Sequence, residues 1–270
     1  MKFEFDRRTV ASQAEFEGAG IFSGAVCRAT VSPGAGGIAF ILGANRTVAH
    51  PSTVTETSRS TSVGGVRMVE HLMSALAAHE ITDAEIEVSA PEMPILGGGA
   101  LEYFSGLKAA GTAKTGKTSA VGLFGRANLQ EGLERIGISA GNGRWRYEFE
   151  RDSYWPGKLV YEFAFEHSDY ETEIAPAKTF AFVDEVRAMQ KAGLVHGGSE
   201  KNTLVIGEDG YRTEHRFSDE PARHKILDCM GDLALAGVPL RFLNVVAERT
   251  GHRMNVEAAR RLVEICKWEN

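Results

Sequence analysis

The run Arg223-His224-Lys225-Ile226-Leu227-Asp228-Cys229-Met230-Gly231-Asp232-Leu233 constrains this chain more than any other stretch. At about 100° per residue, His224, Asp228 and Asp232 fall near 0°, 40° and 80° of one helix, while Ile226, Leu227, Met230, Leu233 and Ala234 centre near 240°. A helix over 222–236 therefore has one face for a core and another that carries a histidine and two carboxylates. Histidine and aspartate at i and i+4 have the spacing to hold one metal ion. A solvated polar face has the same spacing, so the pattern alone leaves both readings open.

Two further stretches bring chemistry. Val69-Glu70-His71-Leu72-Met73-Ser74-Ala75-Leu76 has apolar positions at helical spacing. A glutamate beside a ligand histidine suits a general base working next to a metal-activated water. No His stands at 74 or 75, so the His-Glu-x-x-His pattern is absent, and His79 is expected past the helix end. In Thr250-Gly251-His252-Arg253-Met254-Asn255, a histidine after a glycine can act as an acid or stabilise an oxyanion. It can equally be the start of a helix, with Asn255 as its cap.

Both halves of the chain run strands, helix, strand, helix. Strands are expected within 16–45, at 84–88, 145–150, 159–165 and 203–206, and helices at 69–78, 101–110, 183–192 and 255–266. This order predicts a duplicated α+β unit, although no repeat is visible residue by residue. The segment 112–119 has no large apolar residue and is the expected linker. The 270 residues suffice for two such units, and hydrophobic and charged residues make up 43% and 24%, which excludes bulk disorder and coiled coil. A net charge of −6 argues against non-specific nucleic-acid binding. Three cysteines, Cys27, Cys229 and Cys266, lack metal or redox spacing and suit a reducing compartment. The charged start Met1–Arg8 has no apolar core of a secretory signal, and the longest uncharged run, 29–45, is too short and too rich in Gly and Pro for a membrane span. A cytoplasmic protein without stable membrane insertion is expected.

Taken together, these motifs resemble the UDP-3-O-acyl-N-acetylglucosamine deacetylases, zinc amidases of lipid A biosynthesis. The resemblance covers nearly the whole chain. It is densest at 69–76, Ala90-Pro91-Glu92-Met93-Pro94-Ile95, Ile174 to Phe182, Gly193 to Ser199, Arg223 to Leu235 and Gly251 to Asn255. It implies two similar α+β domains, 1–115 and 116–270, each a β-sheet layered with α-helices, with the active site at their interface. Zn2+, or Fe2+ in the cell, would be held by His71, His224 and Asp228, since a His2Asp site accepts several divalent metals. Glu70 would be the general base. His252 would be a charged acid or oxyanion stabiliser, and Asp232 would orient it. Thr179 would donate to the oxyanion, and Lys225 would meet a substrate phosphate. The segment 182–206 would form an acyl tunnel with Val183, Val186, Met189 and Leu194 on its wall. The partner implied is a small nucleotide-sugar or amino-sugar, bound by a monomer.

Four departures from the family pattern bear on the substrate. Phe22 stands where a histidine is usual, and Leu96-Gly97-Gly98-Gly99 replaces an Asp-Gly-Ser stretch. The region 166–174 is shorter and lacks a proline after His167, and Lys201 stands where an acid is common. A paralogue that deacetylates another N-acetylglucosamine compound is the alternative reading. A non-catalytic binding paralogue is a third, opposed by the retention of Glu70, His71, His224, Asp228, Asp232 and His252 together.

Overall fold

Alternation of small or apolar residues with polar ones sets the strands. In Val26–Pro33, for example, Cys27, Ala29 and Val31 point inward while their neighbours do not. The computed structural model describes residues 1–152 and 155–269. Two five-stranded sheets dominate. The first has the spatial order Ala14–Ala19, Val26–Pro33, Ala84–Val88, Ile38–Leu42, Asn45–Val48. The second runs Arg126–Glu131, Glu134–Ala140, Leu243–Glu248, Arg144–Glu150, Lys158–Ala164.

The two sheets share one topology. In each, two successive hairpins are laid down and the fifth strand then inserts between them. That strand pairs antiparallel with the second strand and parallel with the third. A helix precedes the inserted strand and another follows it. These are α1 (Glu70–Ala78) and α2 (Leu101–Ala110) in the first half, α5 (Glu220–Ala234) and α6 (His252–Ile265) in the second. The expected α+β duplication is thus present in strand order. The second half also carries an excursion of α3 (Tyr170–Glu173), the strand Thr179–Phe182, α4 (Val183–Lys191) and the strand Thr203–Ile206, the two strands being parallel.

The segment expected as a linker is instead a strand. Thr112–Leu123 pairs with Lys2–Val10 along most of its length and with Cys266–Glu269 at its end. The expected boundary at 115/116 falls inside it. Backbone hydrogen bonds hold its first half, where side chains are largely exposed, so no large apolar residue is needed there. The C-terminal helix likewise starts earlier than expected. Gly251 flanks it, His252 opens it, and Asn255 lies buried inside it rather than capping it.

Candidate active site

Helices α1 and α5 pack directly on each other, and Gly231 lies in the contact. A Cβ there would lie 2.0 Å from the Glu70 carbonyl oxygen and 2.9 Å from its Cα. Glycine in a helix interior costs about 1 kcal/mol relative to alanine, and here it admits the backbone of the other helix. The crossing brings Glu70 and His71 against the His224, Asp228 and Asp232 face of α5.

His71, His224 and Asp228 converge with their ligand atoms within 4.8 Å of one another, all buried. His71 Nε2 is 3.7 Å and His224 Nε2 3.3 Å from Asp228 Oδ1. His224 Nδ1 lies 3.0 Å from the Ala177 carbonyl, which can only accept, so the proton sits on Nδ1 and Nε2 presents a lone pair. The His71 ring is likewise hydrogen-bonded to the Gly99 backbone. Burial, followed by the neighbouring His224, pushes the His71 pKa down to about 3, and burial lowers that of His224, so both rings are neutral. Asp228 Oδ1 is buried without a hydrogen-bond partner, while Oδ2 accepts from Lys225 Nζ at 2.8 Å. Burial opposes the Asp228 charge, but His224 and Lys225 keep its pKa well below the usual carboxylate range. The unpartnered Asp228 Oδ1 and two neutral imidazoles turn their lone pairs toward one point. A divalent cation fits that donor set.

Beside it, Glu70 Oε2 accepts the Thr61 backbone N–H at 3.0 Å. Burial raises the Glu70 pKa to about 8, with His252 opposing and Asp232 and Asp228 adding to the rise. His252 Nδ1 is 3.0 Å from Asp232 Oδ2, and its Nε2 lies 4.0 Å from Glu70 Oε1. Burial disfavours charge on His252, yet Asp232 and Asp228 outweigh it and lift the pKa to about 9. Asp232 is filled on every side. It takes Thr61 Oγ1 at 2.5 Å and Asn255 Nδ2 at 3.0 Å besides the histidine. Lys225 is half-buried and its pKa is raised, because Asp228 more than offsets the loss of water. Thr179 stands half-buried in the cleft wall, its backbone N–H on the Gly98 carbonyl at 2.8 Å.

The structure therefore brings all eight sequence-derived residues to one cleft or its immediate support. Seven line it directly, and Asp232 lies behind His252. Sequence reasoning missed Thr61, the Asn255 link to Asp232, the Gly99 backbone and Ala177 carbonyl partners and the helix contact at Gly231. Only Gly231, a glycine inside a strong helix, left a readable signal. Thr61 sits in an irregular turn whose partners lie 9 and 171 positions away.

A cavity of about 410 Å3 adjoins the cleft, lined among others by Phe22, Phe180, Val186, Met189, Val195 and Val205. Arg59, Thr179 and Phe180 belong to both walls. Of the four expected wall residues, Val186 and Met189 are there. Val183 lines a separate pocket beyond, and Leu194 is exposed. The sequence profile of the family "UDP-3-O-acyl N-acetylglycosamine deacetylase" (LpxC) matches residues 7–264. The chain belongs to this family.

Relatives named UDP-3-O-acyl-N-acetylglucosamine deacetylase agree. The chain is 33% identical to that of Thermosynechococcus vestitus, over 96% of this chain and 94% of the relative. It is 33% identical to that of Brucella melitensis, over 95% of each. It is also 33% identical to that of a Nostoc species, over 80% of this chain and 81% of the relative. Within the family frame, two of the departures acquire structural roles. Phe22 lies under the Arg67 guanidinium, 3.6 Å from its ring centre, and forms part of the cavity wall. Gly98 has φ +88°, and a Cβ on Gly98 or Gly99 would meet backbone oxygens of Asn202 or Ala175 at 1.9 and 2.4 Å. The glycine run lets this turn, which supplies the backbone partner of His71, pack against the second half. Lys201 is exposed and lines neither cavity. Among the described residues, no helix is long and apolar enough to cross a membrane.

Proposed function

We propose that this chain hydrolyses the N-acetyl group of a UDP-3-O-acyl-N-acetylglucosamine, releasing acetate, as a step of lipid A biosynthesis. The observation that carries the substrate is the apolar cavity sharing Thr179 and Phe180 with the cleft, which suits an acyl chain next to the sugar. A bare N-acetylglucosamine glycan has no use for it. We read the halves as domains, 1–115 and 116–270, that meet at the cleft, and the chain as acting singly, since one copy supplies every group. The three cysteines are free thiols, in keeping with the cytoplasm.

His71, His224 and Asp228 would hold zinc, with iron(II) as the alternative, and the bound ion would polarise the acetamide carbonyl and acidify a water. Glu70 is the base. The cation's charge favours its carboxylate form, and its free oxygen takes the water proton and later returns it to the leaving amine. Thr61 fixes the other oxygen. His252, kept protonated by Asp232, faces the charge that develops on the carbonyl oxygen. The Thr179 hydroxyl donates to the same oxygen. Lys225 uses one of its donors on Asp228 and has others for an anionic group of the nucleotide.

The deciding experiment measures acetate release by the zinc-loaded protein from three substrates. These are UDP-3-O-acyl-N-acetylglucosamine, the same nucleotide sugar without its acyl chain, and an N-acetylglucosamine oligomer. Turnover of the acylated nucleotide well above the other two is expected. Turnover of the oligomer alone would overturn the substrate while leaving the chemistry.

A further inference from the structure

The other cations of the cleft each have an acidic partner. Lys225 is on Asp228, His252 is on Asp232, and Arg253 is on Glu131 and Glu134 at 2.7 and 3.3 Å. Arg59 differs. Among the described residues, its guanidinium makes no ion pair and no hydrogen bond. Its backbone has φ +62°, a left-handed conformation that residues with a Cβ rarely adopt.

That conformation is enforced from both sides. Ahead of it, Thr57 and Ser58 donate backbone N–H groups to Glu56 Oε1, each at 2.8 Å. Arg67 then grips the Ser58 carbonyl at 3.2 Å and Ser60 Oγ at 2.9 Å, and Thr61 N–H is fixed on Glu70. A strained residue whose surroundings over-determine it, with an unspent cation at its end, is a feature to be explained by ligand contact.

Position narrows the contact. Arg59 lines both the cleft and the apolar cavity. A substrate with its sugar in one and its acyl chain in the other passes Arg59 at the ester that joins them. We propose that Arg59 donates to this ester carbonyl and thereby favours sugars that carry an acyl chain over those that carry an alkyl chain. The proposal rests on the functional reading above. An ester carbonyl leaving water needs a donor, and the guanidinium offers five in a fixed fork. The anchored turn fixes the backbone from which the side chain springs before substrate arrives, so the ordering needed on binding is confined to the side chain.

The test compares UDP-3-O-acyl-N-acetylglucosamine with a 3-O-alkyl ether analogue of equal chain length, which lacks the carbonyl. Arg59→Gly removes the guanidinium and suits the left-handed backbone, so folding is preserved. Arg59→Lys keeps the charge without the fork. The wild type is expected to favour the ester by about 10- to 100-fold in kcat/KM. In Arg59→Gly that preference falls to within about threefold, chiefly through a higher KM for the ester, with Arg59→Lys between. An Arg59→Gly protein that keeps the full ester preference overturns the assignment and leaves the deacetylase reading standing. A wild-type protein inactive on both compounds overturns that reading and this assignment with it.

Discussion

Replacing Gly231 by alanine puts a methyl group where α1 and α5 cross. The new Cβ would sit 2.0 Å from the Glu70 carbonyl oxygen, whereas ordinary contact begins at 3.4 Å, so the two backbones must part by 1.4 Å. No flexible side chain can absorb this, because the nearest atoms are all Glu70 backbone. Alanine gains about 1 kcal/mol of helix propensity, but overpacking costs about 1–3 kcal/mol and here pushes backbone against backbone, so the net effect is destabilising. The larger consequence is at the site. His71 rides on α1 and its two co-ligands on α5, and metal–ligand distances tolerate only about ±0.2 Å. Metal affinity should drop at least about 10-fold, and turnover about 100-fold, the usual cost of misplacing a reacting group by about 1 Å. Zinc competition against a chelator, steady-state acetate release and a thermal melt read the three effects. A Gly231→Ala protein that melts higher, binds zinc normally and turns over at the wild-type rate would refute the close crossing.

Two further substitutions probe the charged network. Glu70→Gln should abolish turnover. Because the buried Glu70 in the metal-free fold has a pKa of about 8 against 4.5 when exposed, the native state keeps a proton that the unfolded chain releases across that window. Glu70 therefore contributes stability to the metal-free wild type that is lost as pH rises from 4.5 to 8, by at most about 1.4 kcal/mol per unit, and the Gln variant should lack this contribution. Metal-free melts at pH 5 and pH 7.5 check it, and parallel curves for the two proteins would sink the idea. Thr61→Val removes the hydroxyl from Asp232 while keeping the backbone donor to Glu70. It should lower kcat about 10-fold or more with little change in KM, and Thr61→Ser should restore it. Equal losses in Val and Ser would point to packing instead.

Local chemistry made the helices and the donor set legible without coordinates. The 3.6-residue period of 222–236 sorted a core face from a face bearing His224, Asp228 and Asp232, and the helix expected at 101–110 is there. The order of strands and helices in each half indicated duplication, because both express the same alternation of periods. The separated motifs at 69–76, 223–235 and 251–255 carried the family. What only tertiary structure decided follows from contacts between distant segments. Thr112–Leu123 became a strand because Lys2–Val10 offered a backbone ladder, which leaves no mark in side-chain pattern. Asn255 turned inward, where its side-chain amide donates to the same Asp232 oxygen as His252. Thr61 joined the site through one backbone and one hydroxyl donor, and Arg59 was left without a partner at the junction of two cavities. Period and composition report on each segment's own solvent exposure. Hydrogen-bond satisfaction and close backbone approach depend on which segments meet, and that is fixed only when the chain has folded.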